Sequence, residues 1–257
     1  MQRESTPIGA PSWIDVMSSD VDATRDFYCA LFGWTAAEPN ADFGGYFNFS
    51  NAGGLIAGGM AKEESNPMPD VWSVYIAVAD AAATTELVKA NGGQVIVEPM
   101  AVGDLGTMAV YLDAGGAAIG AWQAGTHAGM ATIDQVGSPS WFELHTRDYD
   151  ASLAFYRDVF GWVTAPVSDT PEFRYSVATG EHQWCGFMDN ANDLPEGTPA
   201  AWEIYFEVDD VAATLAKAET LGAKVRNPAE DTPYGVLGAA LDPTGALFKL
   251  RKSPPAA

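Results

Sequence analysis

Glu143 and His145 lie two residues apart in a stretch of alternating polarity, so a strand there would turn a carboxylate and an imidazole to one face. Glu203 lies on the stretch expected to pair beside it. Two carboxylates around an imidazole can hold a divalent ion such as Fe, Mn, Zn or Ni, or pass a proton between acid and base. The same side chains can equally well satisfy one another as ordinary hydrogen-bonded strand residues, the commoner role of a single histidine. Aromatic and acidic residues repeat around this group. Trp13, Asp15 and Tyr75 occupy one half of the chain, and Trp141 and Tyr205 the other. Flat rings beside carboxylates suit a small-molecule pocket, although Trp13 and Trp141 serve equally as packing aromatics. Asp15 and Glu143 are either hydrogen-bonded to Tyr75 and Tyr205 or general bases. Cys185 has no neighbouring cation or helix start to activate it, so it reads as a buried structural thiol. His127 and His182 read as surface residues.

The elements that must position these residues are set by a duplication. Residues 11–34, PSWIDVMSSDVDATRDFYCALFGW, return at 139–162 as PSWFELHTRDYDASLAFYRDVFGW, with 11 of 24 positions identical. Each half is therefore one unit, predicted over residues 8–124 and 137–251 with a linker at 125–136. Within a half, strand and helix patterns alternate twice. A half-buried strand at 12–17 leads to a capping Asp20, a helix to about 31 that Gly33 ends, and strands near 46–49 and 54–60. The order restarts with a strand at 72–78, a cap at Asp80, a helix to 90 stopped by Gly92-Gly93, and strands at 95–98, 108–112 and 117–123. This is an α+β pattern of four βαβββ modules. In the opening strands Ile14/Val16, Trp72/Val74/Ile76, Phe142/Leu144 and Ile204/Phe206/Val208 form the face that helices should cover. Gly53-Gly54 and Gly58-Gly59 lack the context of a phosphate loop and point to close backbone packing beneath a pocket. Residues 251–257 read as a frayed tail.

Thirteen basic and thirty-four acidic side chains give a net charge of −21. A surface of that sign repels nucleic acid and anionic lipid, and no apolar run is long enough to span a membrane. Two cysteines at non-equivalent positions of the repeat argue against a disulfide framework and fit a cytoplasmic protein.

Asp20…Phe27-Tyr28…Phe32-Gly33, its copy Asp148…Phe155-Tyr156…Phe160-Gly161, and Asp242-Pro243-Thr244-Gly245 before a last strand resemble the vicinal oxygen chelate superfamily of glyoxalases, bleomycin resistance proteins and extradiol dioxygenases. The resemblance implies two tandem domains whose modules form curled mixed sheets around a cup, with helices outside. It leaves open whether the first module pairs with the second or the fourth. Relatives place His, Gln or Glu metal ligands on the first and last strands of each module. Counting from the matching motifs, these positions hold Trp13, Ser73, Trp141 and Glu203, then Gly120 and Lys249, and less securely Ala57 and Cys185. Only Glu203 offers an oxygen suited to a metal, so the resemblance implies a small-molecule-binding member with the usual ligands largely lost and no cofactor. The alternative it leaves is a glyoxalase-like lyase or a hydroxylase or dioxygenase, using a metal on Glu143, His145 and Glu203. The expected ligand is neutral or cationic, aromatic or dicarbonyl, and the chain a monomer or homodimer.

Overall fold

A computed structural model describes residues 2–179, 183–192, 194, 195 and 197–254. The first half runs β1 (Pro11–Ser18), α1 (Val21–Phe32), β2 (Thr35–Ala36), β3 (Phe47–Asn51), β4 (Gly54–Ala61), β5 (Val71–Ala77), α2 (Ala81–Ala90), β6 (Gln94–Val102), β7 (Gly106–Leu112) and β8 (Ala118–Ala124). The second repeats it as β9 (Pro139–Thr146), α3 (Tyr149–Phe160), β10 (Val163–Thr170), β11 (Phe173–Thr179), β12 (Cys185–Asp189), β13 (Ala201–Glu207), α4 (Val211–Thr220), β14 (Lys224–Thr232), β15 (Gly235–Leu241) and β16 (Leu247–Lys252).

Local chemistry sets the helix ends. Asp20, Asp80 and Asp210 accept from the amides of Ala23, Ala83 and Ala213, which have no partner within their helices. Asp148, at the repeat position of Asp20, makes no such side-chain bond. Gly33 and Gly161 end α1 and α3 with φ of 73° and 71°, a left-handed conformation that glycine adopts without strain.

Each half forms one eight-stranded mixed sheet, in the orders β2-β3-β4-β1-β5-β8-β7-β6 and β10-β11-β12-β9-β13-β16-β15-β14. The first module thus pairs with the second, through antiparallel β1 and β5, and the third with the fourth, through antiparallel β9 and β13. The α+β reading with two curled mixed sheets holds.

The helix-side faces of the two sheets also meet each other. Helix α1 packs on α4, and α2 on α3. Tyr28 accepts from Trp72 Nε1 at 2.8 Å and donates to Asp242 of the other half at 3.0 Å. Tyr156 mirrors it, accepting from Trp202 Nε1 at 2.6 Å and donating to Asp113 at 3.0 Å. The FY and DP-type motifs of the repeat are therefore among the contacts that join the halves. The C-terminal segment is ordered further than its composition suggested: β16 continues to Lys252, and Ser253 donates from its amide and hydroxyl to Glu207 at 2.8 Å each. Residues 255–257 lie outside the described residues. No helix among the described residues is long and apolar enough to cross a membrane.

Tyr156→Phe would leave Asp113 Oδ2 and Trp202 Nε1 buried without this partner. The expected loss of stability is about 2 kcal/mol, read as a lower urea midpoint at unchanged slope.

Candidate functional site

The side chains facing away from the helices gather on the cup floor of each sheet. Register decides which ones. In the second half Glu203 lies opposite Glu143, and Tyr205 opposite Trp141, across the β9–β13 pair. Parallel pairing then aligns Tyr205 with Lys249 of β16, and Glu143 with Gly186 of β12. The same positions in the first half hold Ser73 opposite Asp15, Tyr75 opposite Trp13, Gly120 beside Tyr75 and Gly58 beside Asp15. The ligand positions inferred at Ala57 and Cys185 fall one residue off this face. Cys185 aligns with Phe142 on the helix side, fully buried, and burial pushes its thiol pKa well up.

In the second cup Glu143, His145 and Glu203 do converge, as the sequence suggested. His145 Nε2 lies 2.8 Å from Glu143 Oε1 and 3.1 Å from Glu203 Oε2. Lys249, which the count from the motifs put at a ligand position with no oxygen to offer, and Tyr175, which sequence reasoning left out, complete it. Lys249 Nζ lies against Glu203 Oε2, 3.1 Å from His145 Nε2 and 3.6 Å from Glu143 Oε1, and donates to Tyr205 at 2.9 Å. Tyr205 in turn donates to Glu143 Oε1, and Tyr175 to Glu143 Oε2, each at 2.9 Å. A continuous hydrogen-bonded line thus runs from Lys249 through Tyr205 to Glu143, a path along which a proton can be held or moved. Glu203 Oε2 is buried without a hydrogen bond, lying against Lys249 Nζ as an ion pair and 3.1 Å from His145 Nε2.

Above this floor Trp141 is half-buried, donates to Tyr175 at 3.1 Å, and lies under the Arg251 guanidinium at 5.7 Å. Tyr175 rests on Gly186, where a β-carbon would collide with its hydroxyl, and Tyr46 rests on Gly58 in the same way. Of the glycines read as close packing in the first half, Gly58 is thus a seat for a tyrosine, Gly59 lies under the Phe47 ring, and Gly53 and Gly54 lie under neither. The repeat itself points to Tyr46 and Tyr175, which lie 129 residues apart, one step off the 128 that separates the glycines they cover.

The first cup is built alike and charged differently. Asp15 is buried, accepting from Tyr46 at 3.3 Å, while Tyr46 accepts from Trp13 Nε1 at 2.7 Å. His127, read from sequence as a surface residue, is half-buried with its ring edge-on to Trp13 at 4.4 Å and to Trp122 at 5.5 Å. Trp122 Nε1 holds the His127 carbonyl at 2.9 Å, so the linker lies over this cup and Trp13 is only 5% exposed. His182 lies outside the described residues.

The two equivalent carboxyls titrate in opposite directions. Burial pushes Asp15 up to about 6, and interactions with Tyr75, Tyr46 and Ser73 offset only part of that. Burial also opposes the charge on Glu143, but His145, Lys249 and Tyr175 outweigh it and hold the carboxyl down to about 2. The difference lies in neighbouring charge: Gly120 and Met17 in the first half stand where the second has Lys249 and His145.

The donor chemistry can be set against a divalent ion. Ligands around one first-row ion lie about 3 Å apart, close to the spacing of Glu143 Oε1, His145 Nε2 and Glu203 Oε2. The position they surround is held by an ammonium, however, and among the described residues no group of three or more His, Cys, Asp or Glu forms a metal site. The residues present do not fit a divalent ion while Lys249 stays where it is. A cleft of about 420 Å³ lies outside both cups, walled by residues that include Arg3, Asp134, Phe142 and Trp184. Much of its wall comes from the N-terminal segment and the linker, and only the cup floor sets several buried polar groups on paired strands.

The chain belongs to the Glyoxalase/Bleomycin resistance protein/Dioxygenase superfamily, which matches residues 11–120 and 133–250. It is 35% identical over 253 residues to CFP32 of Mycobacterium tuberculosis, named a glyoxylase, covering 96% of each chain. It is 37% identical over 278 residues to the anthracycline biosynthesis protein DauV of Streptomyces sp. strain C5, covering 97% of this chain and 96% of that one. Among solved structures it resembles the Mn(II)-bound glyoxalase of Novosphingobium aromaticivorans, with a TM-score of 0.67, 14% identity, and 95% of this chain and 82% of that one covered. The 2,3-dioxygenase LapB of Pseudomonas sp. KL28 gives a TM-score of 0.66 at 13% identity, covering 97% of this chain and 93% of that one. At such identities these structures share the fold.

Because the fold raises the Asp15 pKa, the native protein keeps a proton that the unfolded chain releases between about pH 4 and 6. That contribution is present below about pH 4 and is lost as pH rises through about 6. Asp15→Asn, which mimics the protonated group, should exceed the wild type in stability by about 2 kcal/mol near pH 7.5. Most of the advantage should vanish near pH 4, as compared by thermal melts at the two values.

Proposed function

We propose that the chain binds a small organic molecule in the second-half cup, held by its own side chains, with the superfamily's usual metal ligands largely lost. The observation that carries this reading is the contrast between the cups. In the second, a floor of buried Glu143 and Tyr205 with half-buried Lys249 lies beneath a half-buried Trp141, while in the first the linker covers Trp13. A flat ring beside a polar floor suits a planar ligand that carries hydrogen-bonding oxygens. An aromatic or dicarbonyl compound meets that description, and the −21 charge of the chain favours neutral or cationic forms. The naming of DauV for anthracycline biosynthesis points the same way, since anthracyclines are planar aromatic ketones.

A second reading has one observation in its favour, the approach of Glu143, His145 and Glu203 to ligand-like spacing. It makes the protein a metal-dependent glyoxalase-like lyase or a hydroxylase or dioxygenase. The position of Lys249 favours the first reading.

A thermal-shift and tryptophan-fluorescence screen of hydroxyanthraquinones, other aromatic ketones and small dicarbonyls is expected to find saturable binding. Trp141→Ala should weaken it about tenfold, the size of one lost ring contact, and Trp13→Ala should leave it unchanged. A panel that leaves both the melting temperature and the fluorescence unmoved would sink the proposal.

A further inference from the structure

The position of Lys249 has a consequence of its own. Its strand β16 runs parallel to β13 with Lys249 opposite Tyr205, and its ammonium lies 4.7 Å from the Tyr205 ring centre. From there it reaches three further groups, two of them carboxylates and the third an imidazole nitrogen. Those are the groups a divalent ion would take, at the spacing it would need. The charge it supplies falls where it is needed: the ammonium lies 3.6 Å from the almost wholly buried Glu143 and donates to Tyr205, which donates to Glu143 in turn. In the first cup glycine replaces the lysine and the equivalent carboxyl is driven toward its neutral form.

We infer that Lys249 is a cation built into the chain at the ion position of the second cup, and that residue 249 alone decides whether this cup takes a divalent metal. An incoming dication would have to displace the ammonium from the acceptors it already holds, and a lysine left beside the ion would cancel much of the attraction that two carboxylates offer. With lysine in place the cup is closed to metal. With a neutral or donor side chain at 249, Glu143, His145 and Glu203 become a three-residue ion site, and Lys249→His or Lys249→Glu would add a fourth ligand. This goes beyond the ligand reading, since an ion titration decides it whether or not any organic compound binds.

The test uses the full chain, purified without chelators and without a metal-binding tag. Wild type, Lys249→Met, Lys249→His and Lys249→Glu are titrated with Zn²⁺, Mn²⁺ and Co²⁺, followed by calorimetry, bound metal per chain and the visible absorption of Co²⁺. The expected result is one ion per chain in the folded variants, bound at least about 100-fold more tightly than by the wild type. The ion should raise the melting temperature of the variants and not that of the wild type. Adding Glu203→Gln to Lys249→His should abolish the gain, which separates this cup from adventitious binding to the acidic surface. Tight metal in the wild type that Glu203→Gln removes would overturn the inference, as would folded variants that bind no better than the wild type. If none of the three variants folds, the wild type decides alone: an ion in this cup at micromolar concentration refutes the inference, and none at millimolar concentration supports it.

Discussion

The antiparallel pairing of β9 with β13, and its twin β1 with β5, is the constraint from which the rest follows. Strand side chains alternate between faces, so a slip of one residue would send every cup residue to the helix side. The register is held because each of these strands carries a continuous apolar face: Phe142 and Leu144 against Ile204 and Phe206, all buried. Burying that face fixes the other. Glu143 and Glu203 then have no choice but to share the cup floor, and two carboxylates so placed need a cation. Lys249 supplies it from the next strand.

The two cups show how one backbone yields opposite electrostatics. Both bury a carboxyl at the same strand position beneath a tyrosine seated on a glycine. In a low-dielectric floor such a carboxyl is either neutral or paired. Asp15, surrounded by hydroxyls, is pushed up, while Glu143, beside an ammonium and an imidazole, is held down. Duplication kept the scaffold and let a few side chains diverge, and those side chains set the charge of each floor.

Duplication also shaped the junction. Tyr28 and Tyr156 each bridge a tryptophan of their own half and an aspartate at the turn before the last strand of the other. Tyrosine suits the place because one hydroxyl can accept from an indole and donate to a carboxylate while its ring packs among aromatics. The motif that looks like a family signature in sequence is therefore a cross-half clamp. A buried aspartate at these turns also ties down its own loop, as Asp242 does by accepting from the amides of Thr244, Gly245 and Ala246.

What the sequence determined by itself was local or repeated. Asp20, Asp80 and Asp210 cap helices because an aspartate before a helical run finds free amides within three residues, and Gly33 and Gly161 stop helices because the left-handed turn favours glycine. The 128-residue repeat fixed the two-half architecture, and alternation put Glu143 and His145 on one face with Glu203 nearby. Tertiary structure alone decided which modules pair, since either pairing buries the same apolar faces. Counting from the motifs put Lys249, 46 residues past Glu203, at a ligand position, and tertiary structure alone brought its ammonium into contact with Glu203, Glu143 and His145. It also drew His127 out of a nominal surface linker onto Trp13, and turned Cys185 to the helix side by a single step of register. Each of these depends on strands far apart in the chain meeting at a particular offset, and residue types and local spacing carry no information about that offset.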